Sequence, residues 1–241
     1  MFFYGIDWTY IILVVPTLIF TLWASAHVRN TFQKFSKVRN SRGLTGAQAA
    51  YAVLRANGIT DVRIERIAGD LTDHYDPKTN VIRLSDSVYD APTPAAVGVA
   101  AHEAGHAVQY AQNYLPIKIR SAIVNVTNIG SKLSLPLVII GILMMSIRSL
   151  ARFSQFFYYI AVVGVLLYGL CVVFQLVTLP TEFNASRRAL RAIDGGNLLD
   201  DTDRASAKKV LSAAALTYVA ALATSLAQFL RLFLMVNRRR N

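Results

Sequence analysis

Cysteine is all but absent from this 241-residue chain. The single one, Cys171, lies inside an apolar run, so it forms no internal disulfide and leaves the redox compartment unmarked. Charge is scarce as well: charged residues make up 16% of the chain against 54% hydrophobic, and they cluster between long apolar runs. That distribution favours a small folded region combined with membrane helices over one ordinary soluble domain. Acidic residues are the scarcer sign, 14 against 25 basic, for a net charge of +11. A basic chain can bind nucleic acid, but none of the recognition motifs is present. The basic residues instead crowd beside apolar segments, as in "HVRNTFQKFSKVRNSR" (27–42), a pattern that sets membrane topology and meets anionic lipid headgroups. Internal repeats and low-complexity stretches are also missing.

What the chain does have is apolar runs of membrane-spanning length. The first, "WTYIILVVPTLIFTLWASA" (8–26), is about as long as a bilayer requires. No Lys or Arg precedes it and Asp7 does, which argues against a signal peptide and for an uncleaved anchor over 1–27. The basic cluster that follows places residue 28 onward on the cytoplasmic side. Residues 28–131 read as a folded polar region. In it a helix fits from Thr45, an N-cap, to Gly58, strands fit "VRIERI" (62–67) and "NVIRLS" (80–85), and "DPKTN" is a turn. Thr93 followed by Pro94 starts a further helix. A transmembrane hairpin is expected over 132–180, from "LSLPLVIIGILMMSI" and "FFYYIAVVGVLLYGLCVVFQLVTL". A polar segment (181–209) follows, and then an apolar C-terminal run with a basic tail (210–241). That last run fits either a further crossing or a helix buried against the others, so three or four transmembrane helices are expected. If it crosses, the "RRRN" tail lies outside, against the usual charge bias.

The chemistry is concentrated in "VGVAAHEAGHAVQY" (97–110). Positions four apart lie on one helix face, so His102 and His106 can present imidazole nitrogens to one ion. Glu103 can then lean over the open coordination position and take a proton from water held there; this is the mechanical content of H-E-x-x-H. Burying these groups unpaired would cost several kcal/mol, which disfavours an accidental match. A catalytic zinc wants a third protein ligand. His27 is next to the anchor, Cys171 is in a membrane run and most aspartates sit in turns. Glu182, two residues past a proline where an apolar helix emerges, is the candidate, placed at the start of what reads as another helix. Its alternative role is a helix-start charge favoured by the dipole. The hairpin makes two crossings between residues 106 and 182, which returns both to one side.

"AAHEAGHAVQ" followed, after a hydrophobic hairpin, by "LPTEFNASRRAL" resembles the YugP-like neutral zinc metallopeptidases of bacterial membranes, nearly end to end and including "DHYDPKTNVIRLSDSVYD". More distantly it is similar to the HtpX and CAAX prenyl protease group of gluzincins. The resemblance implies a mostly α integral membrane protein in the bacterial inner (cytoplasmic) membrane. A small α+β, zincin-like region would carry HExxH on a helix beside a short sheet, with one Zn2+ per chain. His102, His106 and Glu182 would be its ligands and Glu103 the general base. The distant group has an aspartate four residues after its ligating glutamate; here that position is Ser186, so a carboxylate partner for a ligating histidine is expected from elsewhere.

An oxyanion needs one donor besides the metal. His74 and Arg188 are the candidates, in that order. The alternatives are a solvated loop histidine, and an arginine that meets a lipid phosphate or an aspartate from 194–203. The strand "VIRLS" could offer an exposed edge to an extended peptide, or be an ordinary internal strand. The function expected is a membrane-embedded zinc endopeptidase working on the cytoplasmic side, on peptides or membrane proteins and in contact with the bilayer. The competing readings are a catalytically silent zinc-binding membrane scaffold and a zinc hydrolase of lipid-linked or other non-peptide amides.

Overall fold

The computed structural model describes residues 7–238. Part of the anchor's leader (1–6) and residues 239–241 of the basic tail lie outside the described residues. The chain is mostly helical. A π-helical turn, Tyr10–Val14, leads into α1 (Val15–Phe35), and α2 covers Gly46–Ala56. Then come β1 (Arg63–Ile67), β2 (His74–Asp76), β3 (Val81–Ser85), the short α3 (Asp86–Tyr89) and α4 (Pro94–Ala111). Three long helices complete the chain: α5 (Leu115–Met145), α6 (Ser154–Gly195) and α7 (Asp201–Asn237). Among the described residues, four helical segments are long and apolar enough to cross a membrane: 10–35, 115–145, 148–195 and 201–237. Arg231, a charge in the last of these, donates to the Asp7 carboxylate from Nε at 2.9 Å.

The contacts divide the chain into two units. One comprises residues 1–23, 119–178 and 218–241, the other 24–118 and 179–217. In the first, as far as it is described, small residues let helices close in. A Cβ on Gly141 would lie 2.7 Å from the Phe157 carbonyl oxygen, and one on Gly164 would lie 2.7 Å from that of Ser134. The Ser134 hydroxyl donates to the Gly164 carbonyl at 2.7 Å. Close backbone approach and a cross-helix hydroxyl bond replace the hydrophobic drive that lipid does not provide. Val138, Ile142, Ala161, Val165, Leu232 and Val236 are buried at its centre.

The second unit holds the sheet, in the order β1-β3-β2. β1 runs parallel to β3 and β2 antiparallel to it, with Tyr75 opposite Ile82. β3 is therefore central and bonded on both sides, so "VIRLS" is an internal strand and not the exposed edge. The free edge on that side belongs to the three-residue strand β2. Ile82 and Leu84 pack with Val53 and Leu54 of α2 and Val97, Ala100 and Val108 of α4 in one core. Each such fully buried Val, Leu or Ile contributes about 1.5–3 kcal/mol.

Caps fix the frames of these helices. Thr45 and Gln48 form a reciprocal capping box at the start of α2, and Gly58 just past its end takes φ +70°. Thr93 accepts from Ala96 N–H, with Pro94 at the first position of α4. The rotation about its axis that follows from this start aims the residues 102–106 stretch.

Two expectations need correction. α6 does not stop at Pro180 and restart: it runs unbroken through it to Gly195. Pro180 removes one intrahelical bond without ending the helix, so Glu182 sits in mid-helix, away from any N-terminal dipole. α7 begins at Asp201, with Asp203 N–H donating to the Asp200 carboxylate at 2.7 Å, so the last helix starts within the segment read as polar.

Candidate metal centre

α4 carries His102, Glu103 and His106, and α6 carries Glu182. The two histidines are one turn apart, with ring centroids 4.7 Å apart and planes at 87°. Both Nε2 atoms point at one oxygen: Glu182 Oε2 lies 3.2 Å from that of His102 and 3.3 Å from that of His106. One ligand atom from each of the three residues falls within 4.8 Å of the others, a group that could hold a metal ion. The helices come this close because residue 105 is glycine. A Cβ there would sit 2.8 Å from the Ala185 carbonyl oxygen on α6.

His106 and Glu182 are buried and His102 is partly so. The Glu182 side chain keeps only 3% of its accessible surface. A lone carboxylate in such a place costs several kcal/mol, so a cation must face it. His106 shows the same demand from the other side. Burial pushes its pKa down, but the hydrogen bond and charge of Glu182, helped by the charge of Glu103, outweigh this and raise it. Two imidazoles and a carboxylate arranged in this way suit zinc.

Each ring's other nitrogen has its own partner. His102 Nδ1 is 3.1 Å from Ser186 Oγ, and His106 Nδ1 is 2.9 Å from Gln109 Oε1. The carboxylate partner expected from elsewhere is thus replaced by a hydroxyl and an amide. Ser186 stands one turn after Glu182, so the helix that brings the carboxylate also brings the hydroxyl. Gln109, fully buried, donates its Nε2 to the Thr181 carbonyl at 2.8 Å and to Asn184 Oδ1 at 3.0 Å.

Glu103 turns towards the sheet. Its Oε2 accepts the Tyr75 backbone N–H at 3.0 Å, which places the carboxylate against the free edge of β2. Asp73, just before that strand, accepts from Ser85 N–H at 2.7 Å and from Ser85 Oγ at 2.9 Å. Burial raises its pKa in spite of those bonds, and the nearby charge of Glu103 adds to the rise.

The two oxyanion candidates have partners of their own. His74 opens β2 opposite Arg83, and its Nδ1 is 2.8 Å from the Thr72 carbonyl oxygen. Alternation along the strand puts its side chain on the face opposite Tyr75, which packs against the core. Arg188 donates from Nε to Asn184 Oδ1 at 2.7 Å and from Nη1 to Gln112 Oε1 at 2.6 Å. Asp194 is paired with Arg204 instead. Sequence reasoning missed Gln109, Asn184 and Tyr75. A buried glutamine three residues after a histidine, on an otherwise apolar face, was the one available signal.

The family model described as "Putative neutral zinc metallopeptidase" matches residues 10–237. The chain is also 40% identical over 227 residues to the "Putative membrane protease YugP" of Bacillus subtilis (strain 168), covering 94% of this chain and 96% of that protein. No solved structure matches. With the match spanning nearly the whole chain, this protein belongs to the family of neutral zinc metallopeptidases to which that description is given.

Proposed function

We propose that the protein is a membrane-embedded, zinc-dependent endopeptidase whose site faces the cytoplasm of a bacterial cell. The observation that carries this reading is the convergence of His102, His106 and Glu182 within 4.8 Å, with Glu103 beside them on the edge of β2. His102 and His106 would hold the ion through Nε2, and Glu182 through Oε2. Zinc bound there supplies Lewis acidity to a water and to the scissile carbonyl.

Glu103 is the residue that moves the proton. Its carboxylate takes one from the attacking water as the new C–O bond forms, and delivers it to the leaving nitrogen as the C–N bond breaks. Glu103 is not among the three clustered ligands, which leaves its carboxylate available for proton transfer. An extended substrate backbone fits the free edge of β2, where ladder bonds give register with little demand on side chains. Tyr75 N–H, now taken by Glu103, is one of the donors on that edge. The basic stretch 27–42 supports the cytoplasmic placement through the charge bias of membrane proteins.

Glu103→Gln tests the reading. The variant should keep about one zinc per chain and lose cleavage of an unfolded membrane protein or casein-like substrate by about 100- to 10,000-fold. Zinc lost together with activity would make Glu103 a ligand. Wild-type protein that binds zinc yet cleaves no peptide bond would move the assignment to a scaffold or to a hydrolase of other amides.

A further inference from the structure

We infer that Arg188 is a positioning residue for the metal site, acting through two amides to fix which nitrogen of His106 is free for a metal. The inference rests on the metal site of the preceding reading, but not on peptidase activity. Its basis is a chain of hydrogen bonds in which every donor and acceptor role is forced from one end.

A guanidinium only donates. The Asn184 atom 2.7 Å from Arg188 Nε must therefore be the oxygen. That same oxygen lies 3.0 Å from the Gln109 side chain, which must present its NH2 group there. Gln109 consequently turns its oxygen to His106, and Nδ1, at 2.9 Å, must carry the hydrogen. A neutral imidazole protonated on Nδ1 has its lone pair on Nε2, the atom aimed at Glu182. Reversing either amide would set oxygen against oxygen or N–H against N–H in a buried or partly buried place, at the desolvation cost of an unmade bond.

The Thr181 carbonyl, 2.8 Å from Gln109 Nε2, imposes the same orientation on the glutamine from a second direction. Arg188 is itself held, by the Gln112 oxygen on Nη1 and by the Tyr114 ring 5.9 Å from its guanidinium carbon. The relay links the α4 terminus to the third-ligand helix with no ionised acceptor anywhere along it. Among the described residues, His102 Nδ1 has the Ser186 hydroxyl as its partner, which can donate or accept. The two ligands thus differ: one has an imposed tautomer and the other an adjustable one.

Zinc affinity of the full-length protein in detergent, measured by chelator competition, tests this together with nitrogen-15 NMR of the imidazoles. Arg188→Met should weaken zinc binding about tenfold, the lower end of the range for outer-shell partners, because Thr181 still orients Gln109. Gln109→Leu should approach a hundredfold. The Asn184 pair decides the matter even if the arginine variant fails to fold. Asn184→Asp keeps an oxygen for both neighbours and should bind zinc like wild type with His106 Nδ1 still protonated. Asn184→Leu should lose affinity as Arg188→Met does and show mixed His106 tautomers. Equal affinity in the Asp and Leu variants, or an unchanged tautomer in Asn184→Leu, would overturn the relay while leaving the metal site intact. Wild-type protein that takes up no zinc would overturn both.

Discussion

In the helical unit of residues 1–23, 119–178 and 218–241, several side-chain hydroxyls are satisfied within a single turn. Thr17 donates to the Val14 carbonyl, Ser146 to Ile142 and Ser225 to Leu222. In the other unit buried and partly buried polar side chains reach across the chain: His102 to Ser186, Gln109 to Thr181 and Asn184, and Asp203 to Ser41. Back-bonding within a turn removes an orphan group but fixes no distance between helices. A bond across 72 or 84 residues does fix one. The first unit sets its spacing with glycines and with a few cross-helix bonds: Ser134–Gly164, Asp7–Arg231, and Thr224 with Thr21 and the Thr17 carbonyl. The second combines the close approach at Gly105 with a polar network, and a network of that kind must be fully satisfied to be worth having.

The sharpest way to break this contrast is at a ligand. Glu182→Ala leaves two imidazoles without a third donor, and zinc measured per purified chain should fall well below one; unchanged metal content would remove Glu182 from the site. Next in size is a matched pair of glycine substitutions. Gly105→Ala and Gly141→Ala both push a methyl group against a facing carbonyl, at 2.8 and 2.7 Å. Each should cost about 1–3 kcal/mol in stability. Only Gly105→Ala should also weaken zinc binding, because only it parts α4 from α6. Equal effects on zinc would mean that spacing in the two units is not independently set.

A smaller effect is expected from Asp7→Asn, which weakens the half-exposed pair with Arg231. Thermal unfolding should shift by about 1 kcal/mol or less, with zinc content and activity unchanged. The smallest lies on the sheet. The Thr79 hydroxyl, the Lys78 backbone N–H and the Arg83 guanidinium hold the Asp76 carboxylate down from 3.8 to about 2. Its folded pKa is below the unfolded one, so its contribution is complete above about pH 4 and is lost as pH falls through about 2. Asp76→Asn should flatten that part of the stability profile, and a profile identical to wild type would remove the assignment.

Much of this was legible in the sequence because it rests on local rules. Thr45 and Thr93 cap the helices expected of them, the strands around residues 63–67 and 81–85 form, and the long apolar runs become long helices. Glu182 was found by elimination and by counting crossings. The structure departs from the sequence reading wherever the cause is non-local. Pro180 looked like a helix boundary, because a proline disfavours the turn before it, but helix continues on both sides and carries through. β2 has three residues and exists because β3 and Glu103 bond to it, a dependence no window of sequence displays. The partners of the ligating histidines escaped for a similar reason. A carboxylate was the expected partner, whereas a serine and a glutamine, unremarkable in composition, take those places once α4 and α6 meet.

That meeting is gauged by what Gly105 lacks. With no side chain between them, the α4 and α6 backbones come into contact, which limits how far apart the side chains carrying the three donor atoms can be rooted. A cage braced in this way would favour ions of small radius. Zinc, bonded at about 2.0–2.2 Å to nitrogen and oxygen, is of a size to be gripped there, whereas calcium, at about 2.3–2.6 Å and wanting six or more oxygens, would have to prise the helices apart.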